Sequence, residues 1–348
     1  MKLVFIINDI ATEKDNYTTI RLTRRAVDEG HEVSLVSLVD ITYESDGALT
    51  APASRPRRDS YTDDADLLSD LQEADAPRER IALGDQDVMM LRADPADEVV
   101  ERPWAHGSSL LFAQLVADQG VIVLNDPRKL TDASNKTYFQ QYPELIRPRT
   151  CITRDPVAIR SFIDEEGGKA VIKPLQGSGG EGVFVITDGS GANVNQMIEA
   201  TIRFGYAIVQ EYLPAASEGD LRLLTLNGRP LIVDGTYACF RRYNETGDAR
   251  SNISAGGAVE LVEPDADALS VAAIAGPKLI RDGMYLAGLD VVGDKMMEIN
   301  VDTPGGIGQA EDLSGKDFSG AILRDLEHKV MLRDQYRGRF SNRDISMM

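Results

Sequence analysis

The sequence predicts an α/β domain built on a parallel sheet, followed by α+β domains rich in antiparallel hairpins. Three observations carry that prediction. "KLVFII", residues 2–7, is an uninterrupted apolar run of strand length, and "TIRLTRRAVDEGHEVSLVSL" behind it reads as a helix, a stop at Gly30 and a second strand. This is the βαβ opening of a parallel sheet. "LRLLTLNGRPLIVDGTYACF" sets Asn227-Gly228 between two strand-like runs, and both residues supply the positive φ angles of a tight hairpin turn. "VIKPLQGSGGEGVFVI", residues 171–186, holds Gly177, Gly179, Gly180 and Gly182 between two strand-like segments.

The remaining elements follow in order. The polar stretch from Asp46 to Asp85, with "APASRPRRDSYTDD" inside it, reads as loop and short irregular elements. "DVMMLR" (87–92) and "GVIVLN" (120–125) restore the strand pattern around the helix-like "GSSLLFAQLVADQ", which closes an N-terminal α/β domain at 1–125. "DPRKLTDASNKTYFQQYP" is helical up to Pro143, "RPRTCIT" is a connecting strand and "DPVAIRSFIDEEGG" a helix. A helix near 193–203 and the strand "YAIVQEYLP" complete a second domain, 126–215. A third, 216–348, holds the Asn227-Gly228 hairpin, a helix at 265–283, a second hairpin in "YLAGLDVVGDKMMEINV" and the amphipathic helix "KDFSGAILRDLEHKVMLRD". A length of 348 residues suits two or three domains.

Composition narrows the function. With 43% hydrophobic and 27% charged residues the chain is an ordinary globular protein. Its 37 basic against 56 acidic residues leave a net charge of -19, which argues against nucleic-acid and anionic-membrane partners. An anionic substrate must then be held by local cations. Cys151 and Cys239 form neither a disulfide framework nor a paired-cysteine metal site, and with no signal peptide they point to a reducing cytoplasm. His31, His106 and His328 are scattered, against a histidine-rich zinc site, and no apolar run approaches the roughly 18 residues of a membrane span.

The glycines satisfy G-x-G-x-x-G, a weak signal alone. A dinucleotide fold needs a helix directly after them, whereas "VFVI" follows. A P-loop needs its lysine after the last glycine, but Lys173 precedes the first by four residues. A protein kinase needs H-R-D and D-F-G motifs, which are missing. What remains is a glycine-rich lid between antiparallel strands with a lysine on the incoming strand, where backbone N–H groups reach phosphates because no Cβ intervenes. The alternative is a hairpin with no ligand.

A second constellation lies in Asp290, Glu298 and Asn300. Glu298 and Asn300 are two apart in "MEINV" and share a strand face. Oxygen ligands beside a phosphate chain suit Mg²⁺. A two-residue turn at Gly293-Asp294 would pair Asp290 with Met297 and turn it away from Glu298. A three-residue loop or a bulge is therefore expected, pairing Asp290 with Glu298. Otherwise these residues make a solvated acidic face.

The order of these features resembles the ATP-grasp superfamily, and more closely bacterial glutathione synthetases. The similarity runs through "RADP" (92–95), "VLNDPRKLTDASNK" (123–136), "VIKPLQGSGGEGVF", "VQEYLP" (209–214), "GDLRLL" (219–224), "ARSNISAGG" (249–257) and "GLDVVGDKMMEINVDTP" (288–304). The resemblance implies a pre-ATP-grasp domain followed by an ATP-grasp fold. It implies that Lys136 and Lys173 contact the ATP phosphates and that Gly177, Ser178, Gly179, Gly180 and Gly182 close over them. Gln210, Glu211, Tyr212 and Leu213 would line the adenine pocket, with the backbone of Glu211 to Leu213 reading the base, and Asp220 would lie on the nucleotide side. Asp290, Glu298 and Asn300 would hold Mg²⁺, or Mn²⁺ in its place. Arg222, Arg250 and Asn252 would grip the substrate carboxylate and the transferred phosphoryl group, although each arginine could equally be a surface ion pair.

The activity so implied is ATP-dependent ligation of γ-glutamylcysteine and glycine, both small molecules, by a cytoplasmic homo-oligomer. A carboxylate attacking ATP approaches another anion, so cations are needed to offset the repulsion before an amine captures the acyl phosphate. Two places depart from the family pattern: Leu221 stands where a basic residue is common, and "DTPGGIGQAEDLSG" after "INV" is richer in glycine than the usual segment, where the acceptor amine should bind. Two other readings stay open at this level, a related ligase with a different donor or acceptor and a non-catalytic ATP-binding regulatory protein.

Overall fold

The structure, a computed structural model, describes residues 1–74, 76–133, 135–175, 182–203, 205–244 and 257–348. The N-terminal unit runs β1 (Lys2–Ile7), α1 (Thr18–Asp28), β2 (Glu32–Ser37), β3 (Thr42–Tyr43), β4 (Leu49–Ala53), α2 (Asp64–Leu71), β5 (Glu79–Ala82), β6 (Val88–Leu91), α3 (Pro95–Glu98), α4 (Ala105–Asp118) and β7 (Ile122–Leu124). Its four-stranded parallel sheet has the order β2-β1-β6-β7. Apolar strands of this kind are buried on both faces. Leu3, Phe5 and Ile7 face a core shared with α1, while Val4 and Ile6 face a core that includes Leu110, Ala113 and Val116 of α4.

The polar stretch before β6 is more ordered than its composition suggests. Strands β3, β4 and β5 form a small antiparallel sheet, and α2 starts at the N-cap Asp63, whose carboxylate accepts from the Asp66 N–H. The apolar side of β4 is only Leu49, Ala51 and Ala53, alternating with Thr50 and Pro52. Small alternating residues give a faint strand signal, which is why the sequence reads as loop there.

After β7 come α5 (Pro127–Asp132) and a 3-10 turn, Lys136–Gln141, shorter than the continuous helix expected. A second sheet follows: β8 (Thr150–Thr153), α6 (Pro156–Glu165), β9 (Ala170–Pro174), β10 (Phe184–Ile186), α7 (Val194–Ile202) and β11 (Ala207–Glu211). Its strands are antiparallel in the order β10-β9-β11-β8, with a separate core of Ile159, Ile163, Ile172, Ile198 and Val209. Leu130, Tyr138, Phe139 and Tyr142, although in the segment leading to this sheet, pack instead into the large core beneath α4.

The last unit opens with β12 (Asp220–Leu226), β13 (Arg229–Pro230), β14 (Ile232–Val233), β15 (Thr236–Tyr237), β16 (Cys239–Tyr243) and β17 (Ala258–Leu261). Asn227 and Gly228 take φ of 52° and 71° at the β12–β13 turn, as their residue types require. Helix α8 (Ala266–Asp282) precedes β18 (Leu286–Val292) and β19 (Lys295–Asn300). These strands form an antiparallel sheet in the order β17-β16-β12-β18-β19. Helices α9 (Ile307–Ser314), α10 (Phe318–Tyr336) and α11 (Asn342–Ser346) close the chain. Phe318, Ile322 and Leu326 of α10 pack with Phe5 and Ile7 of β1 and Phe240 of β16, so the N-terminal and central sheets share one core. Asn125, just after β7, fastens them. Its amide donates to the carbonyls of Leu286 (2.9 Å) and Val301 (2.6 Å) and accepts from the Leu286 N–H (2.9 Å). Among the described residues no helix is long and apolar enough to cross a membrane.

Candidate active site

A cleft of ≈ 610 Å³ lies between the parallel, second and central sheets. One wall comes from the carboxyl ends of the parallel strands, where open α/β sheets bind ligands: Asn8, Glu13 and Tyr17 after β1, and Arg92 and Asp94 after β6. The second sheet supplies Lys173, Ile208 and Gln210, and the central sheet Arg222, Arg242, Asp290, Glu298 and Asn300. Lys136 enters from the connecting 3-10 turn, and Asp302, Gly306 and Gln309 from the segment after β19.

The register of the central sheet sets charged residues opposite one another. Asp220 pairs with Arg242, Arg222 with Asp290, and Asp290 with Glu298. The Asp290–Glu298 pairing needs one extra residue on β19. The turn itself has the two residues Gly293 and Asp294, since Val292 pairs with Lys295. Met297 is then left over between Met296, opposite Val291, and Glu298, opposite Asp290. The expected bulge is present and turns both carboxylates to one face.

Asp290 is gripped by two guanidinium groups. Arg222 donates Nε to Oδ1 at 2.6 Å and Nη2 to Oδ2 at 3.0 Å, and Arg242 Nη2 lies 2.9 Å from Oδ2. Burial alone would push the Asp290 carboxyl up, yet these arginines hold it below the usual carboxylate range. Arg242 also pairs with Asp220, and the two carboxylates together outweigh burial and raise its pKa. Lys136 Nζ sits 3.6 Å from Glu298 Oε1. Ala170 and Ile172 of β9 fill the second sheet's core, so strand alternation turns Lys173 to the cleft face. Burial pulls its pKa down to about 8, helped by the Lys136 charge and opposed by Glu298 and Asp290.

Of the residues expected from sequence, Lys136, Lys173, Gln210, Arg222, Asp290, Glu298 and Asn300 all line this one cleft. Gln210 donates Nε2 to Thr150 Oγ1 at 3.3 Å. Glu211, Tyr212 and Leu213 are not in the lining: the Glu211 carboxylate accepts from the Arg149 N–H, and the Glu211 N–H donates to the Arg149 carbonyl. Asp220 is buried behind the wall with Arg242. Gly182 has φ +68°, and a Cβ there would meet Pro174 at 3.3 Å, so glycine fits the return into β10, which pairs antiparallel with β9 as expected. Gly177, Ser178, Gly179, Gly180, Arg250 and Asn252 lie outside the described residues. Sequence reasoning missed Arg242, Glu13 and the clasp at Asn125. "FRRY" offers two adjacent arginines on a strand, and alternation says they face opposite ways without saying which faces the cleft.

Comparison with known proteins identifies relatives along nearly the whole chain. The N-terminal domain of prokaryotic glutathione synthetase matches residues 1–131, and the ATP-grasp domain of prokaryotic glutathione synthetase matches residues 135–315. A glutathione synthetase from Synechococcus elongatus is 31% identical over 95% of this chain and 99% of that protein. One from Thermosynechococcus vestitus is 38% identical over 60% of this chain and 64% of that protein. Among solved structures, the D-cycloserine synthetase DcsG superposes with a TM-score of 0.58 at 14% identity, covering 93% of this chain and 99% of that one, a likeness of fold.

Proposed function

The chain belongs to the prokaryotic glutathione synthetase family, and from that premise we propose that it joins γ-glutamylcysteine to glycine with cleavage of ATP to ADP and phosphate. It is an ATP-dependent carboxylate–amine ligase. The observation that carries the assignment to this cleft is the row Arg222, Asp290, Glu298, one cation and two facing carboxylates, meeting Lys136 and Lys173 in one enclosure. The sequence's Leu221, at the family's basic position, lies beside this row rather than in it, since Asp220 and Arg222 take the buried face of β12.

In this reading Lys136 and Lys173 hold the ATP phosphates, and the segment 177–182 covers them. Lys173, its pKa lowered by burial to about 8, is mostly charged at pH 7, and approaching phosphate oxygens favour that form further. The donor carboxylate attacks the terminal phosphorus, the bond to ADP breaks, and an acyl phosphate forms. Arg222, anchored by Asp290, directs its remaining N–H groups to the reacting oxygens, with Arg250 and Asn252 as further contributors. The amine of glycine then attacks the acyl carbon, loses a proton and expels phosphate. Exclusion of water during these two steps keeps the acyl phosphate from hydrolysis.

The side chains present suit Mg²⁺. Asp290 and Glu298 are directly opposite, and Asn300 Nδ2 lies 3.4 Å from Asp290 Oδ2, so two carboxylates and an amide gather on facing strands. Mg²⁺ takes few protein ligands and completes its shell with water and phosphate oxygens. When bound, the ion would offset charge on the phosphate oxygens. Asp290, Glu298 and Asn300 would hold it.

The test is phosphate release from ATP and Mg²⁺ with γ-glutamylcysteine, with and without glycine, in the wild type and in Glu298→Gln. Release that needs both substrates and disappears in the variant supports the assignment. Release in Glu298→Gln at the wild-type rate would remove Glu298 from the site. No release from the wild type with this pair would move the donor or acceptor to another compound.

A further inference from the structure

We infer that Glu13 is the receptor for a substrate ammonium group, and so a specificity-determining residue on the N-terminal wall of the cleft. The inference rests on the ligase reading above. Glu13 lines the cleft and is 7% exposed, yet its Oε2 accepts no hydrogen bond among the described residues. Its backbone is fixed: the N–H donates to the Ile10 carbonyl at 3.4 Å, and its own carbonyl accepts from Gln72 Nε2 at 3.1 Å. A carboxylate held in place, buried and without a donor is destabilising in the free protein. It gains its partner when a ligand brings one.

The charges around Glu13 select that ligand's sign. Its strongest cationic neighbour is Arg92, which is committed elsewhere, donating Nε to Thr19 Oγ1 at 3.3 Å and Nη2 to the Pro304 carbonyl at 3.1 Å. Arg92 is also shared: Glu13, Asp302 and Asp94 all act on this one guanidinium. Asp97 adds negative charge beside Glu13, and Lys14 and Tyr17 complete the ionisable groups near it. An arginine shared and committed in this way leaves Glu13 Oε2 without a donor of its own. Gln309 Oε1 and Asp302 Oδ1 of the same lining are also without a hydrogen bond, the latter 3.3 Å from His106 Nε2, as is one donor, Gln140 Nε2, on the connecting 3-10 turn. A primary ammonium supplies one positive charge and three N–H donors, which Glu13 lacks, since Lys14 acts on Asp97 and Tyr17 and not on it. Burial pushes the Glu13 carboxyl up to about 7, partly offset by Arg92, so ligand binding at neutral pH would release a proton from it.

Both substrates carry an ammonium group, and the experiment separates them. Binding of γ-glutamylcysteine, of its des-amino analogue glutarylcysteine and of glycine would be measured by calorimetry, and KM for each by phosphate release, in the wild type and Glu13→Gln. A charge-assisted hydrogen bond predicts about ten- to hundredfold preference for γ-glutamylcysteine over glutarylcysteine in the wild type, lost in the variant. A rise confined to glycine's KM would assign Glu13 to the acceptor amine and support the same chemistry. Equal effects on both dipeptides, or none on any of the three ligands, would overturn the inference, as would a wild type that binds none of them. Binding with discrimination but without turnover would instead overturn the ligase reading alone. The substitution keeps the side chain's shape and removes a buried charge, so a melting temperature at or above that of the wild type is expected for the variant.

Discussion

Replacing Arg242 with methionine should cost the protein more stability than replacing any exposed arginine. Arg242 is 7% exposed in its side chain, Asp220 0% and Asp290 3%, so three charged groups sit away from water. Without Arg242, Asp290 keeps the fork from Arg222, but Asp220 loses the guanidinium opposite it in the sheet. Breaking a buried pair by removing one partner costs about 3–5 kcal/mol, against a total stability of about 5–15 kcal/mol for a folded domain. Urea unfolding followed by near-UV circular dichroism reads the loss. The double variant Asp220→Asn/Arg242→Met removes the carboxylate opposite Arg242 and should recover part of the loss, and the cycle gives the coupling directly. Acid adds a second reading. Asp290's pKa is depressed in the fold, so its stabilisation is present above the unfolded carboxylate pKa and is lost only as pH falls through the lower folded value. Losing Arg242 raises that folded value and moves acid unfolding to higher pH. A single variant costing less than about 1 kcal/mol, or a double variant no more stable than the single, would refute the account of Arg242 as the charge that makes this row tolerable.

Two further outcomes follow from the site. Lys173 loses its proton near pH 8 in the free protein, while bound phosphates favour its charged form. ATP binding should therefore take up a proton at pH 9 and little at pH 7, with affinity falling above pH 8; calorimetry in buffers of different ionisation enthalpy that finds no uptake at pH 9 would contradict this. Gly219 has φ +103°, and a Cβ at this position would collide with the backbone carbonyl oxygen of Arg242. Gly219→Ala should cost more than about 3 kcal/mol, combining positive-φ strain with displacement of β16 from β12, and a thermal melt within a degree or two of wild type would show that the strand yields easily.

The sequence made some of this readable and concealed the rest for identifiable reasons. Apolar runs gave β1, β6 and β7, and Asn227-Gly228 gave its turn, because those signals are local. That a three-residue loop or a bulge must follow β18 was readable too, since parity along two strands requires one of them once Asp290 and Glu298 are to meet, and the structure has the bulge, at Met297. Arg242 was not, because its importance comes from the strand beside it, where Asp220 lies opposite. Its neighbour Arg241 pairs with Glu260 at the surface. Glu13 was hidden in a polar segment, "ATEKDN", where a charged residue looks solvated until the fold buries it. Helix α9 was hidden by the glycines around it: Gly306 and Gly315 stand at its two ends in left-handed conformations rather than interrupting it.

The clasp made by Asn125 sets an order on the protein's own synthesis. Its partners Leu286 and Val301 lie 161 and 176 residues further along the chain. At about 5–20 residues per second a ribosome needs roughly 10–35 seconds to deliver the second of them. Until then the parallel sheet stands with the edge that faces the central sheet unfinished, its buried amide unpaired and the apolar face that later meets α10 uncovered. The N-terminal half of this enzyme is thus a nascent-chain problem as much as a catalytic one, and the interval before residue 301 emerges is when a chaperone has most to protect.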